Sequence, residues 1–216
     1  MVTPSPVTVL TATRLETRAA RRAAPDARIV EAGIALRRLS RREFTGAVIT
    51  CGLAGAVRSG LPTGSVLVPS TVLRPDGTWL TCDRALAEAL AAAARTLGLE
   101  AEQGPLGTSP SFVRGADRQA WADRGCVAVD METGLLTAPR IAAVRVVLDT
   151  PERDLSDVWR RPVLALARPA AWGEAAWLVR EAPRCAARAA AVLAEALRPP
   201  GAPLDRRLTR LPARSG

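Results

Sequence analysis

The chain has 216 residues, 48% of them hydrophobic, and a formal net charge of +9. This length supports one sizeable hydrophobic core and is short for two full domains, so we expect one domain over residues 1–198 and a disordered Pro/Arg-rich tail over 199–216. The sequence has no run of about 18 uncharged apolar residues, and its first ten residues lack the basic and apolar blocks of a secretion signal. We therefore expect a cytoplasmic protein.

The sequence contains no histidine. This excludes catalytic triads with a histidine base and metal sites with histidine ligands, so proton transfer must use carboxylates, cysteines or the substrate. The cysteines show neither the paired spacing of a zinc site nor the density of a disulfide framework, and we expect no metal and no cofactor. They are Cys51, Cys82, Cys126 and Cys185.

The positive charge is concentrated near the C-terminus. Residues 160–216 carry 11 arginines and four acids, whereas the first 159 residues have a net charge of only +2. The basic residues are not interleaved with aromatic ones and match no nucleic-acid-binding motif, so we expect no nucleic-acid partner.

The C-terminal arginines include three at a helical spacing, Arg180, Arg184 and Arg188. Together with Trp172 and Trp177 they predict a basic amphipathic face, which would suit peripheral contact with an anionic membrane on its inner side. The alternative is a helix that packs on the core and leaves an arginine face in solvent.

Apolar runs and turn residues predict alternating strands and helices. The predicted strands are Val7 to Thr11, Ala47 to Cys51, Ser65 to Leu73, and two that begin at Val127 and Ala143. The predicted helices are Arg14 to Ala24, Asp83 to Leu97 with Asp83 as N-cap, and Ala170 to Leu197, broken at Pro169 and Pro183. We expect a turn at Gly52 to Gly55 and a loop from Gly104 to Gly115. This alternation predicts a single α/β domain with a mixed, largely parallel sheet flanked by helices.

Two predicted strands end on acidic residues. Val127 to Glu132 is an apolar run that ends in Asp-Met-Glu, and Ala143 to Asp149 ends in aspartate. The carboxyl ends of parallel strands gather at one edge of an α/β sheet, so Glu132 and Asp149 can meet in one pocket. This arrangement suggests acid and electrostatic catalysis on a sugar or a base.

Four segments resemble, in the correct order, the nucleoside phosphorylase and nucleosidase superfamily. They are Thr11 to Glu16, the glycine-turn region Val48 to Pro69, the acid-Met-Glu signature Asp130 to Glu132, and Val144 to Asp149. Within that superfamily the chain most resembles the hopanoid-associated phosphorylases, which are thought to remove adenine from adenosylhopane. The segments that carry this closer resemblance are Gly52 to Gly55, Gly104 to Leu106, Val113 to Gly115 and Val127 to Glu132.

The resemblance implies a role for each matching residue. Asp149 would protonate the purine, and Glu16 would orient a nucleophilic water or a ribose hydroxyl. Glu132 would bind the ribose hydroxyls, Met131 would pack against the sugar, and Phe112 would lie on the base. The other residues implied in substrate binding are Gly52, Ala54, Gly55, Val113 and Asp130, and Gly33 holds the place of the phosphate loop.

Each main assignment has a structural alternative. Asp149 can cap the turn that follows it, and Glu132 can be a first-turn acid that answers a helix dipole. Glu16 can form a solvated salt bridge with Arg14 or Arg18. The glycines can simply build a turn.

The chain also departs from the family pattern. The segment after Glu132 is short, and Gly134 and Pro139 limit any helix there to one or two turns. Leu148 replaces the serine that relatives often place before the purine acid. Met131 can be a core residue and Phe112 a loop anchor.

These features predict release of adenine, from adenosylhopane, by attack of phosphate or water. A nucleosidase for methylthioadenosine or S-adenosylhomocysteine is an alternative, and a catalytically inactive relative that binds a nucleoside or lipid is another. Phosphorolysis would require inorganic phosphate as co-substrate, and the resemblance implies a homo-oligomer.

Overall fold

The computed structural model describes residues 7–156 and 172–199. Its strands are β1 (Thr8–Thr11), β2 (Arg28–Glu31), β3 (Ala47–Ala56), β4 (Val66–Leu67), β5 (Thr71–Leu73), β6 (Trp79–Thr81), β7 (Ala101–Glu102), β8 (Leu106–Thr108), β9 (Ala128–Asp130) and β10 (Arg140–Asp149). Its helices are α1 (Arg14–Ala23), α2 (Arg84–Thr96), α3 (Asp117–Asp123) and α4 (Trp172–Leu197), with 3-10 turns at Ile34–Leu36 and Thr133–Leu135. The tail predicted over 199–216 lies, except for Pro199, outside the described residues.

All ten of these strands join one mixed sheet, so the predicted α/β fold is confirmed. The order β6-β5-β8-β9-β3-β10-β4-β7 forms its main path, and β1 adds to β3 and carries β2 on its other side. The long strand β3 is parallel to both β1 and β10 and antiparallel to β9 at its last residues. The carboxyl ends of β1, β3 and β10 therefore lie along one edge of the sheet.

The structure corrects three predicted elements. Gly52 to Gly55 is not a turn, because β10 pairs with β3 through Gly55 and keeps this segment extended. The strand predicted from Ser65 to Leu73 is two short strands, β4 and β5, with Pro69 between them, since proline cannot donate to a ladder. The loop predicted from Gly104 to Gly115 contains β8, which pairs with β5 and β9.

The helices are close to prediction. Asp83 caps α2 as expected and accepts a hydrogen bond from the N–H of Leu86 at 2.9 Å. After Glu132 the chain makes only the 3-10 turn Thr133–Leu135, which agrees with the predicted shortening. Helix α4 is not broken at Pro183; it packs along α1, α2, β3 and β10, and these contacts offset the hydrogen bond that proline cannot make.

The predicted basic face of α4 is present only at Arg180 and Arg184, because Arg188 and Trp177 are buried. Arg188 is 7% exposed and donates from Nη1 to the carbonyl of Gly64 at 2.6 Å, and Trp177 is buried in the main hydrophobic core. Arg180 and Arg184 both pair with Glu181. Helix α4 therefore packs on the core, as the alternative proposed. Across the described ranges, 7–156 and 172–199, no helix is long and apolar enough to cross a bilayer.

Gly64 and Gly60 allow a matched test of the Arg188 contact. Both have a φ near +90°, but a Cβ on Gly64 would lie 2.5 Å from Nη1 of Arg188, whereas a Cβ on Gly60 would meet nothing within 4 Å. Gly60→Ala should lower the free energy of unfolding by about 1 kcal/mol through backbone strain alone. Gly64→Ala should lower it further, because the buried guanidinium must move. Equal losses in urea unfolding would contradict a stabilising role for Arg188.

Candidate functional site

Glu16 links the start of α1 to strand β3. Thr13 is the N-cap of α1, and its backbone N–H donates to Oε2 of Glu16 at 2.7 Å in a capping box. Oε1 of Glu16 accepts from the N–H of Leu53 at 2.8 Å. The side chain is therefore buried and fixed by backbone donors, which excludes the solvated salt bridge that was its alternative.

Gly52 makes room for this arrangement. A Cβ at Gly52 would lie 2.2 Å from Oε1 of Glu16 and 3.0 Å from Nη1 of Arg145. The first distance is shorter than any real Cβ contact and the second is unusually tight, so glycine at this position lets Glu16 and Arg145 approach each other over β3.

Arg145 is a central site residue that the sequence analysis missed. It lies in the middle of β10 and is 1% exposed. Its Nη2 donates to Oδ2 of Asp130 at 2.5 Å and to Oγ1 of Thr133 at 3.0 Å, and it lies 3.5 Å from Oε2 of Glu132. An arginine inside an otherwise apolar strand was the available signal. We call Glu16, Asp130, Glu132 and Arg145 the Arg145 cluster.

Asp130 supports this cluster and is enclosed by protein groups. Its carboxylate accepts from Thr108 Oγ1 at 2.7 Å, from the N–H of Thr133 at 3.1 Å, and from Arg145. The side chain is 0% exposed. Protein donors contact both of its oxygens, so Asp130 holds Arg145 in the structure, and its role in substrate binding stays a prediction.

Glu132 lies at the same site with one oxygen turned to the backbone. Its Oε1 accepts from the N–H of Ala35 at 3.2 Å. Burial, opposed by Arg145 and reinforced by the charges of Asp130 and Glu16, raises the pKa of Glu132 from 4.5 to about 7. A carboxyl group with such a pKa can accept or share a proton near neutral pH.

Gly33 builds the turn that brings Ala35 to Glu132. Its φ of 76° opens the 3-10 turn, and Ala35 and Leu36 also have positive φ. The nearest side chain to a Cβ on Gly33 would be Arg38, which pairs with Glu31. The structure thus places the predicted phosphate residue beside the Arg145 cluster, with its neighbouring cation already paired.

Asp149 forms a second group at the end of β10. Its side chain is 8% exposed and pairs with Nη2 of Arg118 on α3, while the same nitrogen contacts Oδ1 of Asp154 at 2.6 Å. Burial raises the pKa of Asp149, and the hydrogen bond and charge of Arg118 oppose that rise. We call these three residues the Asp149 group. Nothing in the sequence pattern singled out Arg118 or Asp154.

Gly55 lies against Asp149 as Gly52 lies against Glu16. A Cβ on Gly55 would be 2.9 Å from Oδ2 of Asp149. Gly55 follows Gly52 by three residues in β3, which at about 3.3 Å per residue puts the Arg145 cluster and the Asp149 group roughly 10 Å apart along the strand.

A cavity of about 550 Å³ adjoins the Asp149 group. Its lining includes Arg118, Asp154, Pro151, Arg58 and Gln119. It has the size of a small-molecule site, and it is lined by Arg118 and Asp154, the two other members of the Asp149 group.

The other predicted site residues differ in how far they are buried. Phe112 is 39% exposed, Met131 is half-buried, and Ala54 is buried in β3. The side chain of Val113 packs with Val57 and Val129 in a core cluster, so only its backbone is left for a ligand. Within residues 7–156 and 172–199, no group of three or more acids and cysteines is placed to hold a metal ion.

Comparisons with known proteins agree with this geometry. The sequence model of the family described as the Phosphorylase superfamily matches residues 29–138, just over half of the chain. No curated protein sequence gives a significant match.

Solved structures share the fold at low identity. The S-adenosylhomocysteine nucleosidase of Streptococcus pyogenes, in complex with 5-methylthiotubericidin, has 16% identity and a TM-score of 0.65, covering 90% of this chain and 96% of that one. The 5′-methylthioadenosine/S-adenosylhomocysteine nucleosidase of Neisseria meningitidis has 20% identity and a TM-score of 0.63, covering 88% and 97%. The futalosine hydrolase of Helicobacter pylori has 12% identity and a TM-score of 0.61, covering 88% and 96%.

The raised pKa of Glu132 predicts a pH-dependent contribution to stability. Because the folded pKa, about 7, exceeds the unfolded value of 4.5, the contribution is complete below the unfolded value and is lost as pH rises through about 7. The free energy of unfolding of the wild type, relative to Glu132→Gln, should therefore fall between about pH 5 and about pH 8. Denaturant titrations across this range measure the difference, with the exposed Glu88→Gln as control. A difference that does not change with pH would contradict the buried carboxyl assignment.

Proposed function

The chain belongs to the Phosphorylase superfamily, and we propose that it releases adenine from an adenine nucleoside by cleaving the N-glycosidic bond, with adenosylhopane as substrate. It is an enzyme of the phosphorylase or nucleosidase type. The observation that carries the proposal is the pair of acidic sites beside β3, roughly 10 Å apart along that strand, with Glu16 and Glu132 near Gly52 and Asp149 at Gly55.

Release of the base requires a site whose two ends differ in chemistry, one for the sugar and one for the base. As the bond breaks, positive charge develops on the sugar and negative charge on the leaving base. In the proposal the base lies at Asp149, whose burial favours its protonated form and so equips it to donate a proton. The 550 Å³ cavity adjoins this end.

The sugar lies over the Arg145 cluster in this proposal. Glu132 accepts hydrogen bonds from the ribose hydroxyls, and Glu16 orients the nucleophile. The backbone donors of Thr13, Leu53 and Ala35 fix both carboxylates before a substrate arrives. Such pre-arranged groups lower the barrier without being reorganised during the reaction.

Water is the nucleophile that this electrostatic setting favours. The Arg145 cluster contains three carboxyl groups and one guanidinium, and Arg38 near Gly33 is paired with Glu31. A phosphate dianion would be repelled by the carboxylates. We therefore favour hydrolysis over phosphorolysis.

An apolar substituent on the sugar fits the surface beside the cluster. Leu15 precedes Glu16 and is 37% exposed, and Ile34 precedes Ala35, the donor to Glu132, and is 46% exposed. In the proposal these side chains offer apolar surface to the substituent on the sugar. The sequence resemblance to hopanoid-associated phosphorylases selects adenosylhopane. The small thioether nucleosides named for the similar structures are the second candidates.

Helix α1 offers a basic surface for contact with an anionic membrane, which would suit a lipid substrate. Its outer face carries four arginines that, with Thr17 and Glu31, line a groove of about 370 Å³. They are Arg14, Arg18, Arg21 and Arg22. Because α1 begins at the proposed sugar site, this face would place that site near the bilayer.

Adenine release tests the function directly. Adenosylhopane in detergent micelles, and methylthioadenosine in parallel, would be incubated with the protein with and without inorganic phosphate. We expect adenine and the hopane-linked ribose with a free anomeric hydroxyl, independent of phosphate, because the site repels anions. Asp149→Asn should reduce the rate by about 100-fold or more through loss of the acid.

The exposed Asp123→Asn on α3 is the matched control and should leave the rate unchanged. Dependence on phosphate with formation of a sugar phosphate would replace hydrolysis by phosphorolysis. Faster release from methylthioadenosine would transfer the assignment to that substrate class. Tight binding of both nucleosides with no release would contradict the enzymatic proposal and favour a binding protein.

The membrane contact has its own test. Co-flotation with vesicles containing phosphatidylglycerol should be weakened by the double substitution Arg18→Glu and Arg22→Glu, because the charge of the α1 face is reversed. The same charge change on α2, at Arg84 and Arg95, is the control. Equal loss in both double variants, or no flotation of the wild type, would refute a specific α1 surface.

A further inference from the structure

Arg118 is shared between two carboxylates of unequal exposure. Its side chain is 3% exposed, and its Nη2 contacts both Asp149 and Asp154, whose side chains are 8% and 30% exposed. Its Nη1 donates to the carbonyl of Ala56, and its Nε has no hydrogen-bond partner among the described residues. The guanidinium thus lies between a buried acid and a half-exposed one.

This sharing matters because of the task proposed for Asp149. An acid that donates a proton must first carry it, whereas a guanidinium in direct contact stabilises the ionised form. If Arg118 bonded Asp149 alone, it would oppose proton donation. Asp154 contacts the same nitrogen and adds a negative charge that acts in the opposite direction on Asp149.

We propose that Asp154 is a positioning residue for base release: it competes with Asp149 for Arg118 and thereby leaves Asp149 able to hold the proton that the leaving base needs. The inference rests on the proposed role of Asp149. Arg118 in turn keeps the acid carboxyl oriented, because Nη1 is anchored to the backbone of β3 at Ala56.

Few other charged groups lie close enough to Asp149 to balance the effect of Arg118. Arg118 on α3 and Asp154 in the loop after β10 are the charged groups that act on Asp149. Strand β3 presents Gly55 and backbone. Glu152 is paired with Ser59 and Thr150 and feels the charge of Arg118. On α4, Cys185 contacts the carbonyl of Val147.

Hydrogen bonds fix the position of Asp154 in the loop after β10. Oδ2 of Asp154 accepts from the N–H of Gly115 at 2.6 Å, and its Oδ1 accepts from its neighbour Leu155 at 3.0 Å as well as from Arg118. Asp154 therefore joins the segment before α3 to the end of β10. Both Arg118 and Asp154 line the 550 Å³ cavity, where a base would approach Asp149.

The pH profile of kcat tests the proposal, because removing Arg118 and removing the charge of Asp154 should shift it in opposite directions. The alkaline limb of kcat for adenine release reports loss of the proton from the acid. Arg118→Gln should move this limb to higher pH by about one unit, because the opposing positive charge is gone. Asp154→Asn should move it to lower pH, because Arg118 then bonds Asp149 alone. The exposed Arg84→Gln should leave it in place.

A second readout does not depend on activity. Carbon-13 NMR of labelled aspartate carboxyl groups, with the Asp149 signal assigned by Asp149→Asn, gives the titration midpoint of Asp149 directly. The same opposite displacements in Arg118→Gln and Asp154→Asn would support the inference even if the wild type releases no adenine, an outcome that would refute only the proposed function. A shift of the Asp149 titration midpoint in the same direction in both variants, or in neither variant, would overturn the inference.

Discussion

The site depends on one buried charge, the guanidinium of Arg145. A cation that is 1% exposed in the middle of a strand is stable only when carboxylates and hydroxyls surround it, and Asp130, Thr133 and Glu132 do so here. Removing one partner of such a buried pair typically costs about 3 to 5 kcal/mol. The need to compensate this charge ties the end of β9 to the middle of β10, and it holds acids close together that would otherwise repel one another.

The glycines of β3 make this arrangement possible. Gly52 and Gly55 lie opposite Arg145 and Asp149 in the β3–β10 register, and each leaves room for a carboxylate where a Cβ would clash. The consequence is a strand with one carboxylate packed on Gly52 and another on Gly55, roughly 10 Å apart along the strand. The same feature explains why a turn was the wrong interpretation of Gly-Leu-Ala-Gly: the glycines serve close approach by side chains, and their backbone stays extended.

Short-range patterns in the sequence predicted much of the fold. The N-cap at Asp83, the start of α1 and the acidic ends of β9 and β10 follow from short-range rules, and the structure has them. The division of the segment around Pro69 and the strand hidden in the Gly104 to Gly115 loop depend on pairing with distant strands, which no local pattern encodes.

The candidate site could also be predicted only where short-range patterns mark its residues. Glu16, Glu132 and Asp149 stood out because they follow apolar strands. Arg118 and Asp154 lie on a short helix and a loop, and only the tertiary structure brings them to Asp149. The arginine spacing on α4 misled because periodicity defines a face without saying whether that face meets water or the core.

The two ends of the site differ in charge balance, and that difference suits glycosidic cleavage. At the Arg145 cluster three carboxyl groups share one guanidinium, so a developing positive charge on a sugar would meet an excess of acceptors. At the Asp149 group two acids share Arg118, and burial pushes the inner acid toward its protonated form. One end is thus prepared to stabilise a cation and the other to neutralise a departing anion. Because both ends lie on the same rigid pair of strands, their separation is set by the β3–β10 register and not by flexible loops.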